Sequence, residues 1–245
     1  MDCSVKKVLI IIQARQTSSR LPNKIFLPLF KKPLFHFLYN RLKELPFNLI
    51  VAAPNTNNNI SLAKYLVNND LNYFLGSENN VFKRFLEVIK LHSPDLIVRV
   101  NSDCPFLSPQ NVESIVNQFL NLNTDYLSTT LDESFPVGEH IEVISSEAFI
   151  RASEDILTSS TKEHVTPIFY KSEKYKSLAY SPLKEIIYPF SLRLCIDYIE
   201  DYVFFKELEK ILCRENFTYE ELIKICNDNQ DLISINSEFK KSRTV

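Results

Sequence analysis

Glycine is almost missing from this chain: Gly76 and Gly138 are the only two in 245 residues. Neither G-x-G-x-x-G nor G-x-x-x-x-G-K-[ST] occurs, so dinucleotide-dependent oxidoreductase and P-loop readings lose their main support. Glycine normally lets a backbone come close to phosphate. A phosphate-binding loop in this chain must use side chains instead, or small residues in allowed conformations. Asn55, Asn57 to Asn59, Asn79 and Asn80 can fill turn conformations that glycine would otherwise take. The five cysteines include no C-x-x-C pair, and the odd number fits a reducing cytoplasm better than a disulfide framework. No apolar run approaches the ~18 residues of a transmembrane helix. Met1 to Lys7 lacks a signal-peptide apolar region and cleavage site, which makes a cytoplasmic protein the expectation. A net charge of −2 argues against nucleic-acid or membrane-surface binding driven by bulk charge. No G-x-S-x-G elbow is present, so Ser-His-Asp catalysis is not indicated.

What is present is concentrated in Ile11 to Lys24, IIQARQTSSRLPNK. Val8 to Ile12 is too aliphatic and β-branched for a surface strand and predicts a central strand buried on both faces. Arg15, Arg20 and Lys24 follow at its C-terminal end, where open α/β sheets place ligands. With Thr17, Ser18 and Ser19 they could neutralise and hydrogen-bond a nucleoside triphosphate; the alternative is a solvated basic turn. Pro22 stiffens the loop.

Strand-like and helix-like segments alternate through the first half. Strands are expected at Val8 to Gln13, Leu49 to Ala53, Tyr73 to Leu75, Asp95 to Val100 and Asp125 to Ser128. Helices are expected at Leu34 to Leu45, Ile60 to Val67, Val81 to Leu91 and Val112 to Leu120. The third helix carries apolar residues at 81, 82, 85, 86 and 89, a 3.6-residue spacing. The pattern predicts a three-layer α/β/α architecture with a mostly parallel sheet. In the second half, Ile141 to Ile144, Lys174 to Tyr180 and Phe190 to Ile196 read as strands. Ser146 to Ile156, Glu200 to Leu212 and Tyr219 to Asp228 read as helices, the last with Thr218 and Glu221 at capping-box spacing.

Two aspartates have the setting that magnesium prefers, which is carboxylate oxygen beside substrate phosphate. Asp103 follows the strand ending at Val100, and Asp197 follows Leu192 to Ile196. The alternative for each is a turn or helix cap. Arg99 lies in an apolar strand, where an unpaired charge is costly; it either faces an acid such as Asp103 or reaches substrate. Glu163, His164 and Thr166 lie in the run EHVTP. His140 and Glu142 follow Gly138 and share a face by strand alternation. Cys104 and Cys195 each neighbour a candidate carboxylate; buried packing is the default and metal ligation the alternative. His36 and His92 fall on helices with no catalytic reading.

These residues carry a resemblance. IIQARQTSSRLPNK resembles the signature I-x-A-R-x-x-S-x-R-L-P-x-K of the cytidylyltransferases that activate acidic sugars. These include 3-deoxy-manno-octulosonate and acylneuraminate cytidylyltransferases and, most nearly, the spore coat polysaccharide biosynthesis protein F group. FLPLFKKPLFHFLYNRL, FLGSENNVFKRF, VRVNSDCPFLSP, FPVGEHIEVISSEAFIRA, KEHVTPIF and LRLCIDYIEDY match further family stretches in order, spanning residues 6 to 212. The resemblance implies a nucleotide-diphospho-sugar transferase fold, like that of the A-type glycosyltransferases. It implies one nucleotidyltransferase domain over 1–236, with a nucleotide half (1–130), an acceptor and dimerisation half (131–236), and a polar tail (237–245). It places CTP against Ala14, Arg15, Ser19, Arg20, Lys24, Arg99 and Ser102, with Arg15, Lys24 and Asp103 in catalytic roles. It makes Asp103 and Asp197 the ligands of Mg2+, and His140, Glu142, Glu163, His164 and Arg193 the surroundings of the acceptor.

The implied reaction is transfer of CMP from CTP to a sugar acid or sugar phosphate, with release of pyrophosphate, by a cytoplasmic homodimer serving surface polysaccharide or glycan biosynthesis. Thr17, Asn23, Phe30, Lys31 and Ser102 stand where the family commonly has glycine, and His140 where it often has Asp. The rival readings are another base or a phosphonate-type acceptor, an A-type glycosyltransferase, and a non-catalytic nucleotide-binding homologue. Asn101-Ser102-Asp103 supplies only one acid of the glycosyltransferase metal motif.

Overall fold

Five consecutive aliphatic residues, Val8 to Ile12, leave no face of the first strand for water. In the computed structural model, which describes residues 6–131, 134–155, 157–182, 187–189 and 191–238, all five are at most 5% exposed. Their alternation divides two cores. Ile10 and Ile12 join Phe35, Phe37 and Phe106 on one side, while Leu9 and Ile11 join Phe82, Phe85 and Phe149 on the other. Each buried aromatic or aliphatic side chain contributes roughly 1.5 to 3 kcal/mol of burial, so this strand anchors the molecule.

β1 (Val8–Gln13) leads through the cationic loop to a 3-10 turn (Lys24–Phe26), the short hairpin β2 (Pro28–Leu29) and β3 (Lys32–Pro33), and α1 (Leu34–Leu42). Then follow β4 (Asn48–Pro54), α2 (Ile60–Asn68), β5 (Tyr73–Gly76), α3 (Val81–His92), β6 (Leu96–Asn101) and α4 (Pro109–Leu120). The second half holds β7 (Tyr126–Ser128), β8 (Glu142–Ser145), α5 (Ser146–Ala152), α6 (Ser159–His164), α7 (Pro167–Lys171) and β9 (Ser177–Ala179). α8 (Ile199–Leu212), α9 (Tyr219–Asp228) and α10 (Gln230–Ser234) close the described chain. The seven-stranded sheet has the order β5-β4-β1-β6-β8-β7-β9. Only β8 runs against its neighbours, so the sheet is mostly parallel and its helices flank both faces.

Helix ends follow local chemistry. Asn80, Ser108, Ser145 and Thr218 each accept a backbone N–H in the first turn, and Thr218 with Glu221 forms the expected capping box. Ser108 caps α4 and Pro109 starts it, so this helix begins three residues before the expected Val112. α5 stops at Ala152 rather than running to Ile156, which lies outside the described residues. The strand expected from Lys174 to Tyr180 shortens to β9.

The strand expected from Phe190 to Ile196 does not form over the described residues 191–196. That segment is wedged between two loops and spends its backbone bonds singly: Leu194 N–H donates to Val137 O at 2.6 Å, and Ile196 N–H to Asp103 O at 2.8 Å. Gly138 makes the close approach feasible. Its φ is +109°, and a Cβ there would lie 2.2 Å from the Leu194 carbonyl oxygen.

Three of the five positions where glycine is expected, though not Thr17 or Ser102, show the reason in the backbone. Asn23, Phe30 and Lys31 have φ of 58°, 46° and 63°. Phe30 and Lys31 are the two central residues of the β2–β3 hairpin, where positive φ is required at both. Non-glycine residues here hold the left-handed conformation that glycine would adopt at no steric cost.

Candidate active site

The loops after β1 and β6 meet where the sheet order changes direction, the place where open α/β sheets bind ligands. Lys24 points inward and is only 8% exposed. Its Nζ donates to Asp103 Oδ2 at 2.6 Å, to Asp197 Oδ1 at 2.9 Å and to the Ile196 carbonyl at 2.8 Å. Burial works against the ammonium, but Asp103, the neighbouring Cys195 and Asp197 outweigh it and hold Lys24 well above the usual lysine range. The two expected metal aspartates therefore converge on one positive charge.

Asp197 is ringed by cations. Arg20 donates to Oδ1 at 2.8 Å and Arg193 to Oδ2 at 2.6 Å. Burial alone would raise the Asp197 carboxyl; Lys24, Arg20 and Arg193 more than offset it and keep it below the usual carboxylate range. Arg20 also lies over the Tyr198 ring, 5.1 Å from its centroid. Arg193, expected beside the acceptor, is 5% exposed and is held by Asp197 and by Asp201 at 2.9 Å. It orients Asp197. Asp201 is fully buried and accepts the N–H groups of Asp197 and Tyr198 at 2.8 and 3.0 Å. Asn236 donates to Asp201 at 3.0 Å and to the Arg193 carbonyl at 3.2 Å. Sequence reasoning missed Asp201 and Asn236. The four-residue spacing of Arg193, Asp197 and Asp201 was the available signal for the first; nothing local marks the second.

The cationic loop is braced from outside. Gln16 N–H donates to Asn59 Oδ1 at 2.8 Å, and the amide of Asn59, itself 1% exposed, donates to Glu78 at 3.2 Å. Gln16 also reaches Asn23 at 2.9 Å. These polar side chains fix the loop's course without glycine. Ala14 is buried at the strand end, whereas Arg15 and Ser19 are exposed. Arg15 makes no hydrogen bond or ion pair among the described residues, so its charge is free for a ligand. Ser102 is 5% exposed and bonds the Gln13 carbonyl at 3.0 Å, linking β6 to β1.

Arg99 does face an acid, and that acid is Glu142 rather than Asp103. The register of β6 against β8 sets Arg99 opposite Glu142, and the two form an ion pair. Gln13 Oε1 accepts from the same guanidinium at 2.9 and 3.1 Å, and Tyr126 donates to Glu142 at 2.6 Å. His140 precedes β8, so strand alternation does not reach it. Burial is the largest influence on its imidazole and outweighs the pull of Glu142 and Asp103, keeping it below the usual histidine range. Glu163 and His164 lie exposed on α6. His36 binds the Tyr65 hydroxyl at 2.8 Å, away from the site.

Two buried charged side chains on opposite sides of the sheet also escaped the sequence reading. Arg84 is 1% exposed; it donates to the Ser77 carbonyl at 2.9 Å and leaves Nε without a partner. Burial, with Arg15 nearby, lowers it to about 10. Glu139, fully buried, accepts Ser108 N–H at 2.9 Å and Asn111 Nδ2 at 3.1 Å.

A sheet switch point carrying converging carboxylates and a cationic loop defines a nucleotidyltransferase. The chain belongs to the cytidylyltransferase family, whose model matches residues 9–237. It is 30% identical to the spore coat polysaccharide biosynthesis protein SpsF of Bacillus subtilis, over 91% of this chain and 95% of that protein. A cytidylyltransferase structure from Leptospira borgpetersenii superposes with a TM-score of 0.86 at 29% identity, over 93% of this chain and 97% of that one. A CMP:2-keto-3-deoxy-manno-octonic acid synthetase solved with CTP shares the fold, with a TM-score of 0.62 at 14% identity over 86% and 100% of the two chains. No helix among the described residues is long and apolar enough to cross a membrane.

Proposed function

We propose that the protein is a magnesium-dependent enzyme that transfers CMP from CTP to a sugar acid or sugar phosphate in surface glycan biosynthesis. One observation carries the reading: Asp103 and Asp197, from separate loops, converge on the Lys24 ammonium. Two carboxylates aimed at one cation form an all-oxygen donor set of the kind magnesium takes. Asp103 and Asp197 would hold the ion; when bound, it supplies neutralisation of phosphate charge. Lys24, released from the carboxylates, and the free Arg15 stabilise charge on the triphosphate, while Arg20 is close enough to join them. An oxygen of the acceptor bonds to the α-phosphorus, the bond from that phosphorus to the bridging oxygen breaks, and pyrophosphate leaves with the electron pair. Where the acceptor is a hydroxyl, its proton passes to water. Positioning and charge neutralisation carry the rate, and no protein nucleophile is needed.

The base lies over the turn after Ile12 and near Arg99 to Ser102. Ser102 in place of glycine narrows that slot and favours a pyrimidine. Pyrophosphate release measured across four nucleotides, with a panel of sugar acids and sugar phosphates, should require magnesium and single out CTP. Calorimetry with magnesium should rank CTP above UTP and well above ATP and GTP. Equal or tighter GTP binding overturns the cytidylyl assignment and leaves a nucleotidyltransferase of other base choice. The assembly in this reading is a cytoplasmic homodimer, checked in solution by sedimentation.

A further inference from the structure

Two thiols lie directly behind the carboxylates. Cys104 and Cys195 are 1% and 7% exposed. Their Sγ atoms and a carboxylate oxygen of Asp103 all lie within 4.8 Å of one another. Cys104 Sγ is 3.7 Å from Asp103 Oδ1, and Cys195 Sγ is 3.8 Å from Asp197 Oδ2. Ligand atoms around tetrahedral zinc stand roughly 3.3 to 3.8 Å apart, given Zn–S near 2.3 Å and Zn–O near 2.0 to 2.2 Å. The Cys104–Asp103 spacing already falls in that range, and Cys195 lies within about 1 Å of it.

The two sides of the carboxylates are chemically distinct. Lys24 takes Asp103 Oδ2 and Asp197 Oδ1. Cys104 faces the other Asp103 oxygen, Oδ1, which leaves that oxygen available beside sulfur. Sulfur ligands select zinc and cadmium, whereas magnesium takes oxygen alone. One pair of loops thus offers Lys24 two carboxylate oxygens while a sulfur–oxygen set gathers beside them, with the Lys24 ammonium bordering both. The Asp103 side chain is 24% exposed, so this one of the three ligands reaches solvent.

We propose that Cys104, Cys195 and Asp103 bind a thiophilic divalent cation of the zinc class, with water completing the tetrahedron because Asp197 Oδ2 already accepts from Arg193. Each thiol gives up its proton to solvent as its sulfur–metal bond forms. A cation held there occupies Asp103 and opposes magnesium, so zinc inhibits turnover. That consequence rests on the cytidylyltransferase reading; the coordination does not.

The test titrates the reduced full-length chain with cadmium and zinc in the absence of nucleotide. Cadmium should give a sulfur-to-metal charge-transfer band saturating at one equivalent per chain, and competition with a chromogenic chelator should report one zinc. Cys104→Ser and Cys195→Ser should each weaken zinc at least tenfold and diminish the cadmium band. Cys213→Ser, at an exposed thiol, should leave both unchanged. Circular dichroism checks folding, and Cys195→Ala serves if the serine variant fails to fold. Absence of the band in the unmodified chain overturns the proposal, as does a band lost only in Cys213→Ser. Zinc that binds but leaves magnesium-dependent pyrophosphate release intact overturns the inhibition. A cadmium band in a protein that releases no pyrophosphate from any nucleotide upholds the metal site and removes the enzymatic reading instead.

Discussion

Lys24 Nζ lies 2.6 Å from Asp103 Oδ2, an ion pair that ties the loop after β1 to the loop after β6. The ammonium and a bound metal would compete for the same oxygens, so the proposed reaction requires Lys24 to move toward phosphate. Lys24→Ala removes a charge-assisted phosphate contact of the kind worth ~2 to 4 kcal/mol in a site. The expected result is about a hundredfold lower kcat/KM for the triphosphate, measured by pyrophosphate release. Unchanged kinetics would reduce the loop to a basic turn.

Asp201→Asn strikes the support beneath Asp197. The fully buried carboxylate accepts from Arg193 and from two backbone N–H groups, and an asparagine turns one oxygen into a donor facing them. Breaking a buried pair this way costs about 3 kcal/mol or more. Urea unfolding should show the loss, and magnesium affinity should fall because Arg193 no longer fixes Asp197. A variant with wild-type stability would refute the placement.

Glu139 sets a pH dependence. Burial, opposed by Asn111, the Ser108 amide and Arg41, pushes its carboxyl up to about 8 from 4.5. The folded chain therefore keeps a proton that the unfolded chain has already released between those values. Stability falls as pH rises through that window and levels off above it. Glu139→Gln abolishes the titration, and the Asn111 amide can turn to match it. The variant should lose much of the slope between pH 5 and 8 and exceed the parent at pH 9, by an amount on the order of a few kcal/mol. An identical slope in chemical denaturation would place its source elsewhere.

Lys31→Gly should stabilise the fold. Lys31 is exposed and has a φ of 63° in the hairpin between β2 and β3. The left-handed region costs roughly 1 to 2 kcal/mol for an ordinary residue, part of which glycine returns as chain entropy on folding. The expected gain is about 1 kcal/mol in thermal or urea unfolding. Phe30→Gly should not gain, because its ring stacks on Phe37 at 5.1 Å.

The first half of the fold was readable because its signals are local. The aliphatic run of β1 and the spacing of α3 specify their partners' faces whatever lies beyond. Residues 191–196 were misread because their apolar alternation is the same whether a segment joins a sheet or wedges between loops; only the contact with Gly138 tells them apart. The meeting of Asp103, Asp197 and Lys24 follows from their places at the ends of buried segments, which sequence order suggests. The partner of Arg99 could not be read that way. Glu142 lies opposite it only because β8 enters antiparallel between β6 and β7, a choice made by the whole sheet. Asn59 was marked in the sequence only as a turn residue; that its side chain braces the cationic loop, backed by Glu78, depends on α2 and β5 lying beside that loop and no local pattern shows it.

Asn236 gives the far end of the chain a role at its centre. It is 1% exposed and satisfies the Arg193 carbonyl and the Asp201 carboxylate together. A recombinant chain stopped a few residues earlier would keep every described strand, yet would leave the Arg193 carbonyl and one Asp201 oxygen without their Asn236 donor. For anyone trimming this protein to crystallise it or fuse it to another, a cut before Asn236 removes these bonds, although the last helix ends at Ser234.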